Sequence, residues 1–111
     1  MLVRVHLLVE AGNVQKRLRG ALSKPDVFVT VMPGEWASRE KLVHEDTDLV
    51  VISRAFLEEP PARGIQALRR LPDHPDVVVI REKENPHERA RLLAAGACAV
   101  VCTAVSDHAL S

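Results

Sequence analysis

Two runs of four apolar, mostly β-branched residues constrain this chain most: Leu49-Val50-Val51-Ile52 and Val77-Val78-Val79-Ile80. A continuous apolar run of this length suits a parallel strand covered on both faces. The first run begins at Asp48 and ends in a polar pair, Ser53-Arg54. In open α/β sheets, ligands and chemistry gather at the carboxyl ends of such strands. Ser53 and Arg54 therefore stand where an active residue is expected.

The rest of the chain supplies the strands and helices that such a sheet needs. Val3 to Val9 is predicted as the first strand, with Val3, Val5, Leu7 and Val9 on one face. Asn13 is expected to cap the next helix, whose Val14, Leu18 and Leu22 fall at i, i+4 and i+8. Lys24-Pro25-Asp26 is a break, and 27–32 is a second strand ended by Pro33-Gly34. A short, mostly polar helix is predicted over 35–43, anchored by Trp36 and Leu42. Residues 55–63 read as a loop, with Glu58-Glu59-Pro60-Pro61 within it. A third helix is predicted over 64–71, with Ile65, Leu68 and Leu71 at three-residue spacing.

After the strand at Val77, Asn85 is placed to cap a helix with Pro86 at its first position and Gly96 at its end. Cys98 to Cys102 is the fifth strand. Ser106-Asp107 has the look of one more cap, but only five residues follow Ser106, too few for a stable helix. Five strands alternating with four helices predict a flavodoxin-like, doubly wound parallel sheet of order 2-1-3-4-5, its last helix truncated or absent.

The chain has 111 residues, enough for one domain with a modest core. Acidic and basic residues balance at 15 each, so net charge gives no case for direct binding to nucleic acid or to a membrane surface. No apolar run approaches the ~20 residues of a membrane span, and Met1-Leu2-Val3-Arg4 does not begin a signal peptide. Cys98 and Cys102 on one strand stand roughly 13 Å apart at ~3.3 Å per residue, too far for a disulfide. A reducing cytoplasm is the expected compartment. His6, His44, His74, His87 and His108 show no metal-ligand spacing, and no cofactor is expected.

At this level of detail the chain resembles the receiver domain of bacterial response regulators along nearly its whole length. Three stretches carry the likeness: Val9-Glu10 before a helix with Leu18 and Leu22, the strand Asp48 to Ile52, and Ala94-Ala95-Gly96-Ala97 before the last strand. Gly64-Ile65 before an amphipathic helix also matches. The resemblance implies a carboxylate nucleophile, an acidic pair for Mg²⁺, a hydroxyl after the fourth strand and a lysine after the fifth. The matching positions here are Ser53, Glu10 with Ala11, Arg81, and Thr103-Ala104. The aromatic switch position of the fifth strand is Val100.

A serine hydroxyl without an adjacent base is a poor nucleophile, and one carboxylate holds Mg²⁺ weakly. The expectation is a pseudo-receiver: fold retained, phosphotransfer lost, no enzyme. Arg54 or Arg81 is expected to form an ion pair with Glu10 or to point into solvent. The likeness further implies an N-terminal module of a larger regulator, attached to an output domain. It would act by contact with a protein partner or in a homodimer through Asn85 to Thr103. Without a last helix, apolar surface on the fourth and fifth strands is expected to be uncovered. The alternative is a small anion or nucleotide sensor binding at the strand ends through Arg54 and Arg81. The stretch Glu10-Ala11-Gly12-Asn13 is no dinucleotide fingerprint.

Overall fold

The computed structural model describes residues 2–10, 12–31, 46–57, 60–83 and 85–102. The predicted helix over 35–43, Ala11, Glu58, Glu59, Thr103 and the Ser106-Asp107 cap lie outside them. In chain order the elements are β1 (Val3–Leu8), α1 (Asn13–Ala21), β2 (Val27–Val31), β3 (Leu49–Ser53), a 3₁₀ turn (Arg54–Phe56), α2 (Pro61–Arg69), β4 (Asp76–Arg81), α3 (Pro86–Ala95) and β5 (Ala99–Cys102). All strand pairs are parallel, and the sheet order is β2-β1-β3-β4-β5, as the sequence predicts.

Strand periodicity divides the core between the two faces of the sheet. Val50 and Ile52 of β3 and Val77 and Val79 of β4 point to one face, where Ile65 and Leu68 of α2 and Leu92 of α3 cover them. Val5, Leu7 and Val51 point to the other, against Val14, Leu18 and Leu22. Coverage from both sides is why the two central strands read as unbroken apolar runs. Val50, Ile52, Val77 and Val79 are wholly buried.

Local pins set where the central strands start. The Asp48 carboxylate accepts a hydrogen bond from the Arg4 N–H at 2.9 Å. The Asp48 N–H donates in turn to the Arg4 carbonyl. Beside it, the buried Thr47 donates its N–H to the Asp73 carboxylate at 3.1 Å. The Thr47 bond gives a buried backbone group its partner, while the exposed Arg4–Asp48 pair fixes the register at the start of the ladder.

Two helix starts differ from the expectation. Asn13 is not the cap of α1: Gly12 is, at φ 138°, and its carbonyl accepts from Lys16 N–H. Glycine turns the chain one residue earlier than an asparagine side chain would, because only glycine enters that backbone region without strain. Helix α2 begins at Pro61, three residues before the predicted start, so the loop after β3 is shorter than expected. Proline suits a first helical position, since its fixed φ is helical and its missing N–H is not needed there. At α3 the same signal was legible: Asn85 caps, its side chain accepting from Glu88 N–H at 3.1 Å, and Pro86 opens the helix.

The edge of the sheet beyond β4 is thinly covered. On the α1 face Ile80 is buried, Val78 is half-buried and Val101 of β5 is 42% exposed. Of the apolar surface expected to be uncovered on the fourth and fifth strands, Val101 of β5 is exposed, while Ile80 and Val78 of β4 are not. Cys102 is buried, its thiol directed to the Glu82 carbonyl, while Cys98 is exposed and no disulfide joins them.

Candidate functional site

Parallel pairing brings the carboxyl ends of β1, β3 and β4 to one rim of the sheet. Register aligns Leu8 with Ile52, and Ser53 with Ile80. Glu10, Ser53, Arg54 and Arg81 therefore come to one rim. They line a cleft of about 450 Å³ together with Glu82 and Lys83. Ala11 and Thr103 fall outside the described residues.

The pairing within this rim corrects one expectation. The expected outcomes for the arginines are an ion pair with Glu10 or exposure to solvent, and the structure shows Glu10 accepting a hydrogen bond from the Ser53 hydroxyl at 3.1 Å. The two arginines converge on Glu88, in the first turn of α3. Arg54 Nε donates to Glu88 Oε1 at 2.6 Å. Arg81 Nη1 donates to the same oxygen, and its Nε donates to the Lys83 carbonyl at 2.7 Å. The side chains are 24% (Arg54), 13% (Arg81) and 22% (Glu88) exposed, so the arginines do not simply point into solvent.

The protonation of Glu88 follows from this setting. Partial burial raises the carboxyl pKa, but the hydrogen bond from Arg54, its charge, and the charge and hydrogen bond of Arg81 outweigh it. The net effect is a pKa below the ordinary carboxylate value. The shift favours the carboxylate anion over the acid.

Sequence reasoning missed Glu88. The signal was there: Asn85-Pro86-His87-Glu88 has the asparagine-to-glutamate spacing of a capping box. In that motif the glutamate side chain turns back to the cap. Here the Asn85 half of the motif is made, while the Glu88 carboxylate reaches across to β3 and β4.

Ser53 has a carboxylate neighbour in Glu10, which orients the hydroxyl. Among the described residues, the two carboxylates that line the cleft, Glu10 and Glu82, are outnumbered by cations. Glu10 and Glu82 share the walls with Arg54, Arg81 and Lys83, and three cations oppose a fourth. No group of three or more His, Cys, Asp or Glu among the described residues is placed to hold a metal ion. Among the described residues, no helix is long and apolar enough to cross a membrane.

On the far side of the Arg54–Glu88 pair lies a second cleft, of about 500 Å³, between the N-terminal ends of α2 and α3. Arg54 lines both clefts; Glu88, His87 and Arg91 line the second, over Leu92 and the Pro60-Pro61 step.

No protein-family model and no curated protein matches this sequence. Solved structures do match it. A response regulator from Thermotoga maritima superposes with a TM-score of 0.78 at 21% identity, over 92% of this chain and 85% of that one. A CheY-like response regulator receiver domain protein from Methanospirillum hungatei gives 0.75 at 14% identity, over 99% of this chain and 88% of that one. RcsB from Salmonella enterica serovar Typhimurium, solved bound to promoter DNA with a phosphomimetic, gives 0.73 at 15% identity. That match spans 90% of this chain but 59% of RcsB. The chain has the fold of response regulator receiver domains.

Proposed function

We propose that this chain is a signalling module of the receiver type that works without phosphorylation, by contact with another protein or a second copy of itself. One observation carries the reading. At the rim where receivers would hold Mg²⁺ and a phosphoryl group, Arg54 and Arg81 are closed on the module's own Glu88. A fixed carboxylate there joins the ends of β3 and β4 to the start of α3 without any phosphoryl group. Ser53 at the strand end offers a hydroxyl in place of a carboxylate nucleophile.

The contact surface we assign runs from Asn85 to Thr103, over α3 and β5. Leu93 and Val101 are each 42% exposed there, and large exposed apolar side chains on adjacent elements suit an interface. An attached output domain is in keeping with RcsB, which extends beyond the matched region and was solved on DNA. The module itself would touch neither nucleic acid nor membrane, and would sit in the cytoplasm with its regulator.

The test is intact mass after incubation with Mg²⁺ and an acyl phosphate. The expected result is an unchanged mass, with amide resonances of Glu10, Ser53 and Arg81 insensitive to Mg²⁺ at millimolar concentration. A stoichiometric phosphoryl adduct overturns the reading. Sedimentation of the wild type against Val101→Asp tests the surface in a homodimer: the variant should dissociate more readily.

A further inference from the structure

We propose that the outer edge of β2 is a self-association surface, where a second copy of the chain adds its own β2 antiparallel, about a two-fold axis through Val29. This edge is the far side of the sheet from β5. It is separate from the contact assigned to α3 and β5, and stands whether or not that contact forms.

Exposure marks the edge first. Phe28 is 65% exposed, the most open large apolar side chain among the described residues, and Val31 on the same strand is 37% exposed. Among the described residues, β1 is the one strand that pairs with β2. Sheet edges are commonly blunted by a charge, a proline or a bulge. Val27-Phe28-Val29-Thr30-Val31 has no charge and no proline, and its register with β1 runs without a bulge. Uncharged edge strands of β-branched and aromatic residues are templates for further pairing.

The ladder to β1 fixes which backbone groups face out. Val3 stands opposite Val27 and donates its N–H to the Asp26 carbonyl at 2.8 Å. In a parallel pair this turns the backbone groups of Phe28 and Thr30 toward β1, and those of Val27, Val29 and Val31 away from it. The Val27 N–H is held by the Lys24 carbonyl in the preceding turn, at 3.0 Å.

These outward groups are self-complementary. With a two-fold axis at Val29, the two Val29 residues exchange N–H···O bonds, and each Val31 N–H meets the Val27 carbonyl of the other copy. The side chains agree with the same register. Phe28 faces Thr30 of the second copy in a non-hydrogen-bonded pair, where side chains approach most closely. An aromatic ring beside a small β-branched side chain is a favourable cross-strand pair. The two Phe28 rings lie on the diagonal of that face, within reach of each other. A strand from another protein has to supply this match from a different sequence, whereas a second copy carries it already.

Symmetry and size set the outcome. A two-fold pairing uses the same edge on both copies, so it closes at the dimer. A five-residue edge with one phenylalanine buries less than the ~1,200 Å² of stable complexes, so the dimer is weak and depends on concentration.

The experiment is amide hydrogen exchange on the full chain at low and high concentration, up to about 1 mM for a weak complex, beside sedimentation equilibrium. In the wild type the Val29 amide should become protected as concentration rises, while the Phe28 amide, turned to β1, is protected throughout. Phe28→Glu sets two carboxylates on one diagonal and should weaken the association roughly tenfold or more. Val101→Asp, which breaks the contact at the other edge, should keep the Val29 response and sediment as monomer and dimer alone. A Val29 amide that does not respond in the wild type overturns the proposal and leaves the edge to a strand of another protein. Equal association in Phe28→Glu overturns it too, as does a Val101→Asp chain that stays monomeric. Growth of Val101→Asp beyond the dimer overturns the two-fold axis. The Val29 reading is made on the wild type, so a variant that fails to fold leaves the test intact.

Discussion

Arg54 Nε lies 2.6 Å from Glu88 Oε1, across 34 residues of chain. The pair ties the turn after β3 to the first turn of α3, and Arg81 reaches the same oxygen from the end of β4. Three elements that share no local sequence are thus held by one carboxylate. Its removal is the most informative single change.

Glu88→Ala leaves two largely buried guanidiniums facing a gap. Losing the charged partner of such groups costs about 1–3 kcal/mol. The expected outcome is a lower urea midpoint with an unchanged slope, and the Asn85 cap intact by amide shift. A midpoint within error of wild type would show that solvent replaces the carboxylate at no cost.

The same carboxylate predicts an acid dependence with a definite sign. The pKa of Glu88 is lower in the folded state than in the unfolded chain. Its stabilising contribution is therefore full above the ordinary carboxylate range, and it is lost as pH falls through the folded value. The stability gap between wild type and Glu88→Gln should be constant near neutrality and close only in acid. Denaturation curves across the acid range check this; a gap that widens on acidification contradicts it.

Leu92 sits under the clamp on α3 and is 1% exposed among Ile65, Leu68 and Val79. Leu92→Ala removes buried methyl groups and leaves a void, at about 2–5 kcal/mol. Thermal unfolding should show a large drop. Leu93→Ala, one position along and on the exposed side, should barely change it.

Gly96 ends α3 at φ 120°. An added Cβ would meet the Arg69 side chain at 3.4 Å, an ordinary van der Waals contact, so backbone strain dominates. Gly96→Ala should cost about 1–3 kcal/mol. Chemical denaturation measures it, and a neutral result would mean that the turn into β5 relaxes.

The capping asparagine carries a smaller, separate term. Asn85→Ala removes the side-chain acceptor for Glu88 N–H and should cost about 0.5–2 kcal/mol. Both groups hold the first turn of α3, so the loss should not be additive with Glu88→Ala. A double-mutant cycle reads the coupling.

The sheet was legible in the residues because its signals are local and periodic. Unbroken runs at Leu49 and Val77 declare doubly covered strands, and helices alternate with them, which leaves few topologies. The rim residues Glu10, Ser53, Arg54 and Arg81 follow from that topology, since parallel strands end on one side. The start of α2 was missed although Pro61 signals it by the rule that placed Pro86. The cap of α1 was missed because an asparagine side chain and a glycine backbone are rival ways to begin a helix. What sequence could not decide is which carboxylate the arginines take. Glu10 and Glu88 are equally charged, and both approach the rim. The choice depends on how far α3 sits from β3 once Ile65, Leu68 and Leu92 are packed, and on which way its first turn then faces. Periodicity and spacing determine the elements and their order. Only packing sets the few ångströms over which a charge finds its partner.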